Sequence, residues 1–361
     1  MRFQSAQEAL TQAQHQPAHR AASIILEEAF RLRASDIHFC PQNTHTIWLR
    51  YRIDGHMVNM TSLQNNLYQP ILVHIKVMAN LDITTTHLPQ DGRFTITTNN
   101  TTHCRINLCP TIFGQRAVIR MIADNPHIKL PQLGLSPAQI ATIHTALMKK
   151  QGMILTVGPT GSGKTVTLYS LLRYLSDQSY TVLTACDPVE IYQDDISQTN
   201  IAPHLGLDYP TLIKTFLRQD PDALMLGEIR DAMTLEAAIQ AATTGHVVLS
   251  SMHSASTYST WSRIRHLGSE PSTIANWLNL VIAQRLLRRI CPFCHKKIAT
   301  CPHCMDGYRG VVAVFALRTG YEIAETADNQ HTDYQAFQQQ ANAYIAQGIT
   351  DAEEAQRVLG K

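Results

Sequence analysis

Gly158-Pro159-Thr160-Gly161-Ser162-Gly163-Lys164-Thr165 follows directly on the apolar run Met153–Val157 and precedes a helical pattern over Val166–Tyr174. The octapeptide fits G-x-x-x-x-G-K-[ST] in full, and strand, loop and helix stand in the order that a phosphate loop demands. Glycines let successive backbone N–H groups turn inward around phosphate oxygens, and the helix N-terminus adds partial positive charge. Lys164 then reaches the β- and γ-oxygens, and the Thr165 hydroxyl holds Mg²⁺. All eight residues from Gly158 to Thr165 are predicted to cradle ATP with Mg²⁺. A plain Gly-rich turn is the bland alternative, and the flanking strand and helix argue against it.

Outward from this loop, the short apolar runs Thr181–Ala185, Ala223–Leu226 and Val247–Ser250 alternate with helical segments. That alternation predicts a doubly wound α/β domain with a mostly parallel sheet. Carboxyl ends of parallel strands share the rim that carries the phosphate loop. Two acidic clusters stand there: Asp187-Pro188-Val189-Glu190 after Cys186, and Glu228-Ile229-Arg230-Asp231 after Gly227. The second resembles a Walker B strand, with Gly227 where an Asp often sits. A single acid at a strand end is as readily a helix cap; two on one rim point to hydrolysis. His253, closing the run Gly245–His253, is a third polar group for the rim, although a lone histidine there is more often structural.

The N-terminal part reads differently. Ile25/Ala29 and Leu26/Phe30 repeat at helical spacing, as do the apolar residues of Leu67–Asn80. Ile47, Leu49 and Tyr51 alternate as a strand ahead of Asp54-Gly55, a tight hairpin turn. Phe94–Thr98, His103–Leu108 and Ala117–Ile122 alternate likewise, separated by Asn99-Asn100 and Gly114. Asn125-Pro126 and Leu130-Pro131 break the pattern before Ser136-Pro137 caps a new helix. The expected organisation is an α+β domain over 1–125, a linker over 126–134, the P-loop domain over 135–290, a cysteine element over 291–310 and a helical tail over 311–361.

Composition narrows the function classes. The 361 residues suit two domains at roughly 100–200 residues each. Thirty Lys+Arg against 28 Asp+Glu leave +2, so no global basic field draws the chain to nucleic acid or acidic lipid. No apolar run reaches the ~18–20 residues of a membrane helix, and the first twenty residues lack a signal-peptide core. The cytoplasm is the expected compartment. Of eight cysteines, four are grouped as Cys291-x-x-Cys294 and Cys301-x-x-Cys304, a set of thiolates suited to tetrahedral Zn²⁺. The six-residue separation is shorter than the usual fifteen to twenty, which leaves His295 and His303 as substitute ligands and free thiols as the alternative.

The ordered motifs resemble those of the secretion ATPases that drive type II secretion, type IV pili and competence pseudopili. They are Ala34-Ser35-Asp36-Ile37-His38, Arg52-Ile53-Asp54-Gly55, Leu88-Pro89-Gln90-Asp91-Gly92-Arg93, the phosphate loop, Asp187-Pro188-Val189-Glu190, and Asp220-Pro221-Asp222 leading to Gly227–Asp231. Thr244-Gly245-His246 with His253 follows, then Ile282-Ala283-Gln284-Arg285-Leu286 running into Cys291-Pro292-Phe293-Cys294. The resemblance implies a RecA-like motor domain preceded by a small α+β, PAS-like domain that swivels against it within a homo-hexameric ring. It further implies that Arg93 and Arg105 approach the phosphates, that Glu190 activates water, that Glu228 is the Walker B acid with Asp187 beside it, and that His246 and His253 form a His box. Cys186 departs from the family pattern, which opens the acidic box with Glu, so one charge is missing and a slower motor is a consequence to test. Cys40 replaces another usual acid.

Within the family, a chain of this length with closely spaced cysteine pairs looks most like the competence pseudopilus ATPases of Gram-positive bacteria. The implied partners are a polytopic inner-membrane platform protein and, through it, pseudopilins, with the motor at the cytoplasmic face of the membrane and no direct contact with nucleic acid. Three other readings stay open: a type II secretion or pilus-extension ATPase, a nucleic-acid-dependent P-loop ATPase with a zinc finger, and a nucleotide-gated scaffold. Near-neutral charge and the lack of basic–aromatic interleaving weigh against the nucleic-acid reading.

Overall fold

A computed structural model describes residues 2–97, 101–122, 128–270, 274–297, 301, 303–304, 306–325 and 332–360. The expected turns at Asn99-Asn100 and Asn125-Pro126, and the strand end at Thr98, lie outside the described residues. The chain divides into two compact units, Met1–Asp124 with Ile290–Gly310, and Asn125–Arg289 with Val311–Lys361.

Among the described residues, the first unit is built on six strands: β1 (Ala34–Pro41), β2 (Thr46–Ile53), β3 (His56–Gln64), β4 (Gln90–Thr97), β5 (Thr101–Thr111) and β6 (Gly114–Ile122). They pair antiparallel in the order β3-β2-β1-β6-β5-β4. Period-2 alternation sends Ile37, Phe39, Leu49, Tyr51, Ile106, Leu108 and Ile119 into one core. Against them pack α2 (Ala18–Arg31), through Ile25, Leu26 and Ala29, and α3 (Asn65–Met78), through Tyr68, Ile71 and Ile75. The two buried phenols each find an acceptor, Tyr51 donating to the Ile25 carbonyl and Tyr68 to the Gln115 carbonyl, both at 2.7 Å. A further helix, α1 (Arg2–Ala13), covers residues that gave no periodic signal, and among the residues whose burial is described it buries Ala6, Leu10 and Ala13.

Asp54 and Gly55 both take positive φ in the β2–β3 turn, as a two-residue hairpin requires. The Asp54 carboxylate accepts the backbone N–H of Gly310 at 2.8 Å, so this turn also holds the far end of the cysteine element.

In the second unit, the described strands are β7 (Gly152–Val157), β8 (Val182–Cys186), β9 (Ser197–Asn200), β10 (Ala223–Leu226), β11 (Val247–Met252), β12 (Leu278–Ile290) and β13 (Tyr308–Arg318). Their order is β13-β12-β7-β11-β10-β8-β9. β12, β7, β11, β10, β8 and β9 run parallel. β7, β8, β10 and β11 are buried at every position, which is why they read as continuous apolar runs. The helices are α4 (Pro137–Leu147), α5 (Lys164–Asp177), α6 (Tyr209–Phe216), α7 (Ala232–Thr243), α8 (Thr257–His266), α9 (Gly320–Glu325), α10 (Thr332–Ala346) and α11 (Ala352–Leu359). Ser136 caps α4 by accepting the Gln139 N–H, with Pro137 in the first turn.

Two features differ from the expected organisation. Residues 290–310 group with the first unit. Residues 311–361, expected to be helical, open inside β13, where Ala313, Val314, Phe315 and Ala316 are buried. A strand covered on both faces has no alternation to display, so it escapes a pattern search. Among the described residues no helix is long and apolar enough to cross a membrane.

Candidate functional site

The phosphate loop joins β7 to α5 at the middle of the parallel sheet. The register sets Val157, the last residue of β7, beside Met252 of β11 on one side and Ala283 of β12 on the other. Gly158, Gly161 and Gly163 all adopt positive φ. The first intrahelical bond runs from Thr167 N–H to the Gly163 carbonyl, so the N–H groups before it have no helical acceptor, and that is the arrangement that receives phosphate oxygens. Lys164 Nζ donates to the Gly158 carbonyl at 2.8 Å and the Pro159 carbonyl at 3.0 Å, arching over the loop. Burial lowers the Lys164 ammonium from the ordinary lysine value; Glu228 and Glu190 oppose this and Arg285 adds to it. Pro159, Thr160 and Gly161 are exposed, Ser162 is buried, and Thr165 is half-buried in the first turn of α5, where its hydroxyl suits Mg²⁺.

Glu228 is held from several sides. Gly227 N–H donates to the Ala185 carbonyl at 2.8 Å, and Ile229 N–H to the Ser251 carbonyl at 2.9 Å, so the backbone on both sides of Glu228 is tied to neighbouring strands. Its carboxylate accepts from Arg230 Nε at 2.8 Å, and its other oxygen lies 3.1 Å from His253 Nε2. Arg230 also reaches Asp187 at 3.5 Å, which draws Asp187, Glu228 and His253 into one cluster. Glu190 is half-buried and makes no hydrogen bond or ion pair to a described residue. That acid is therefore available to a water molecule, whereas Glu228 is committed to Arg230 and His253.

Gly227, which precedes Glu228, stands where an added side chain would be crowded. A Cβ there would lie 3.2 Å from the Tyr209 hydroxyl and 3.3 Å from the Cys186 Cα. Cys186 itself is buried, with its sulfur 3.9 Å from the Tyr169 hydroxyl. Burial pushes its thiol up to about 11, so it is neutral at physiological pH.

Within the second unit, His246 stands apart from the Glu228 cluster. His246 precedes the first residue of β11 and bonds locally, its Nδ1 3.2 Å from the Ala241 carbonyl and 3.3 Å from the Thr244 hydroxyl. β11 then carries the chain about 20 Å to His253 at the opposite edge of the sheet. Parallel pairing thus puts the two histidines at opposite ends of one strand. Arg93 and Arg105 belong to the first unit, where they are register partners on β4 and β5, and Arg105 pairs with Asp91 at 3.3 Å. Sequence reasoning assigned no role to Arg230, Tyr209 or Gln284. Gln284 and Arg230 had a usable signal, since each lies within a quoted motif, but Tyr209 becomes a site residue only through packing.

The four grouped cysteines come together in the first unit. Their sulfurs all lie within 4.8 Å of one another, with Cys294 and Cys304 3.5 Å apart. Tetrahedral Zn²⁺ with bonds of ~2.3 Å requires sulfur–sulfur edges of about 3.8 Å, so the cradle fits the ion. The cluster contains sulfur ligands only; His303 instead stacks on Phe293 with ring centroids 4.3 Å apart. Four sulfur ligands would leave no open position on a tetrahedral ion, so a metal held here would be structural and not catalytic.

A family model described as "Type II/IV secretion system protein" matches residues 11–359. The "Protein transport protein HofB homolog" of Haemophilus influenzae is 38% identical over 354 residues, covering 97% of this chain and 75% of that protein. The "Type IV pilus assembly ATPase PilB" of Acinetobacter baylyi is 35% identical over 381 residues, covering 93% of this chain and 65% of its own length. Among solved structures, the Legionella pneumophila ATPase DotB superposes with a TM-score of 0.72 at 22% identity, covering 93% of this chain and 94% of that one. The pilus retraction motor PilT with bound ADP gives 0.65 at 24% identity, with 92% and 95% covered. These two likenesses concern the fold. With the family model matching nearly the whole chain and the phosphate-loop sequence complete, this protein belongs to the type II/IV secretion system protein family and is an ATPase.

Proposed function

We propose that this chain is the ATP-hydrolysing motor of a machine that assembles type IV pilus-like or type II secretion filaments. The observation that carries the reading is Glu228, fixed between Arg230 and His253 on the rim that also bears Lys164 and the unpaired Glu190. In this reading Gly158–Thr165 bind the phosphates, with Thr165 on Mg²⁺. Glu228 orients the metal's water shell, Glu190 activates the attacking water, Asp187 fixes Arg230, and His253 reports the state of the γ-phosphate through Glu228. Arg93 and Arg105 supply positive charge from the PAS-like first unit when it swivels within a homo-hexameric ring. His246 belongs to the family's His box but acts away from this rim. Zn²⁺ on Cys291, Cys294, Cys301 and Cys304 stiffens the cysteine element.

The motor acts at the cytoplasmic face of the membrane on a polytopic platform protein, which lifts pilin or pseudopilin subunits. The test is phosphate release together with filament assembly for wild type, Lys164→Ala and Glu228→Gln. Loss of both in the two variants is expected; equal and negligible turnover in all three chains with filaments still formed would replace the motor with a nucleotide-gated scaffold.

A narrower reading, a competence pseudopilus serving DNA uptake, rests on the tight spacing of the cysteine pairs. Deleting the gene and scoring transformation separates it from secretion or pilus extension. Strong stimulation of turnover by single- or double-stranded DNA would favour the nucleic-acid-dependent reading instead.

A further inference from the structure

The motif Ile282-Ala283-Gln284-Arg285-Leu286 has no role in the site as described, yet it lies against the phosphate loop. Ala283 pairs with Val157, so Gln284 and Arg285, within β12, run on past the end of β7 beside the loop that leaves it. Gln284 is buried, and its side-chain carbonyl accepts the Thr167 hydroxyl at 2.7 Å in the first turns of α5. The same residue closes on two loop glycines. A Cβ at Gly158 would lie 2.8 Å from the Gln284 backbone carbonyl, and one at Gly163 2.7 Å from Gln284 Nε2. The loop's two bends are therefore packed on one residue, which leaves the α5 N-terminus little freedom to shift.

Arg285 extends the brace. Its guanidinium donates to the Gln284 carbonyl at 2.9 Å and to the Ala255 carbonyl, two residues beyond His253. Its outer face meets the Phe337 ring of α10 at 5.4 Å, and the Asp333 carboxylate attracts it. Asp333 in turn accepts both the backbone N–H and the hydroxyl of Thr257 at 2.6 and 2.7 Å, at the start of α8. One arginine thus links the phosphate loop, the segment after His253 and the C-terminal helices.

We propose that Gln284 and Arg285 are positioning residues for nucleotide: Gln284 sets the spacing between the phosphate loop and α5 through Thr167, and Arg285 locks that spacing to the segment following His253. A preorganised loop needs no reorganisation on binding, so its loss acts on affinity more than on the chemical step. The inference rests on this site's being the ATP site of a motor.

The test compares the full-length wild type with Thr167→Val, Thr167→Ser, Gln284→Met and the Thr167→Val/Gln284→Met double variant. Affinity for a fluorescent ADP analogue with Mg²⁺ is read alongside kcat and KM for ATP. Thr167→Val and Gln284→Met should each weaken the analogue about tenfold and raise KM to a similar extent, with kcat changed less than threefold. The double variant should bind no worse than either single one, because both remove the same bond. Thr167→Ser keeps the hydroxyl and should bind within twofold of wild type. If Gln284→Met fails to fold, the valine–serine contrast at 167 decides by itself. Wild-type affinity in Thr167→Val, or losses that multiply in the double variant, would overturn the proposal. A wild-type chain that bound the analogue without hydrolysing ATP would strike the motor reading, and the affinity comparison would still decide this one.

Discussion

Glu228 Oε1 lies 3.1 Å from His253 Nε2, joining the ends of β10 and β11 across the rim of the phosphate loop. The partners are 13% and 51% exposed respectively, so the carboxylate is the buried half of the pair and the histidine the half open to solvent. Removing either half should have different consequences. Glu228→Gln keeps the shape but loses the charge that holds Arg230; on the proposed role, kcat should fall at least a hundredfold while nucleotide affinity stays within threefold. His253→Ala should cost about tenfold in kcat with little effect on affinity, the size of a lost positioning contact. Steady-state turnover and nucleotide titration on the same preparations check both.

Cys186 replaces a charge that the family pattern supplies, but its neutral thiol is buried against Tyr169. Cys186→Ala should accordingly leave kcat within twofold of wild type. A larger fall would mean that the thiol takes part in the chemistry.

Gly227 is a different case, since a methyl group there presses on Tyr209 and on the Cys186 backbone. Gly227→Ala should lower stability by about 1–3 kcal/mol, the range for overpacking, and shift the urea midpoint without changing the slope. A companion Tyr209→Phe substitution removes one of the two contacts and should restore part of the loss.

The C-terminal helix α11 is pinned by a buried ion pair. Glu354 is fully buried and accepts from the Arg288 backbone N–H at 3.0 Å, from Arg288 Nε at 2.9 Å and from Arg357 at 2.6–2.7 Å. Burial alone would raise its carboxyl, but the hydrogen bonds from Arg357 and Arg288 outweigh it and hold the group at about 2. A depressed carboxyl stabilises the fold above its unfolded value of about 4.3, and that contribution is lost as pH falls toward the folded value. Glu354→Ala leaves Arg288 uncompensated and should cost about 3–5 kcal/mol at pH 7. Urea melts at pH 7 and pH 3 should show the gap between wild type and variant narrowing in acid.

The sulfur cradle predicts about one Zn²⁺ per chain in purified protein, measured by elemental analysis. Cys301→Ser/Cys304→Ser should lose the metal and lower the melting temperature. Full metal content in that variant would refute the assignment.

Much of the site is visible before folding, because its chemistry sits in contiguous runs. A phosphate loop is a local object: strand, glycine turn and helix are neighbours in sequence, so spacing alone specifies Gly158–Thr165. The acids at 187, 190 and 228 could be placed on the same rim because parallel strands all end on one side. The cysteine pairs are legible for the same reason, each turn bringing two thiols together within a few residues.

What sequence alone could not decide depends on contacts between distant segments. Neither the ~20 Å separation of His246 from His253 nor the close packing at Gly227 is encoded locally. The first follows from the length of a buried strand, the second from Tyr209 and Cys186 closing on one point. Thr167 and Gln284 are 117 residues apart and meet only because β12 lies next to β7. Asp54 reaches Gly310 across 256 residues, assigning the cysteine element to the first unit even though the chain enters and leaves it from the second. Local spacing thus determines which groups can do the chemistry, while strand order and side-chain volume determine which of them meet.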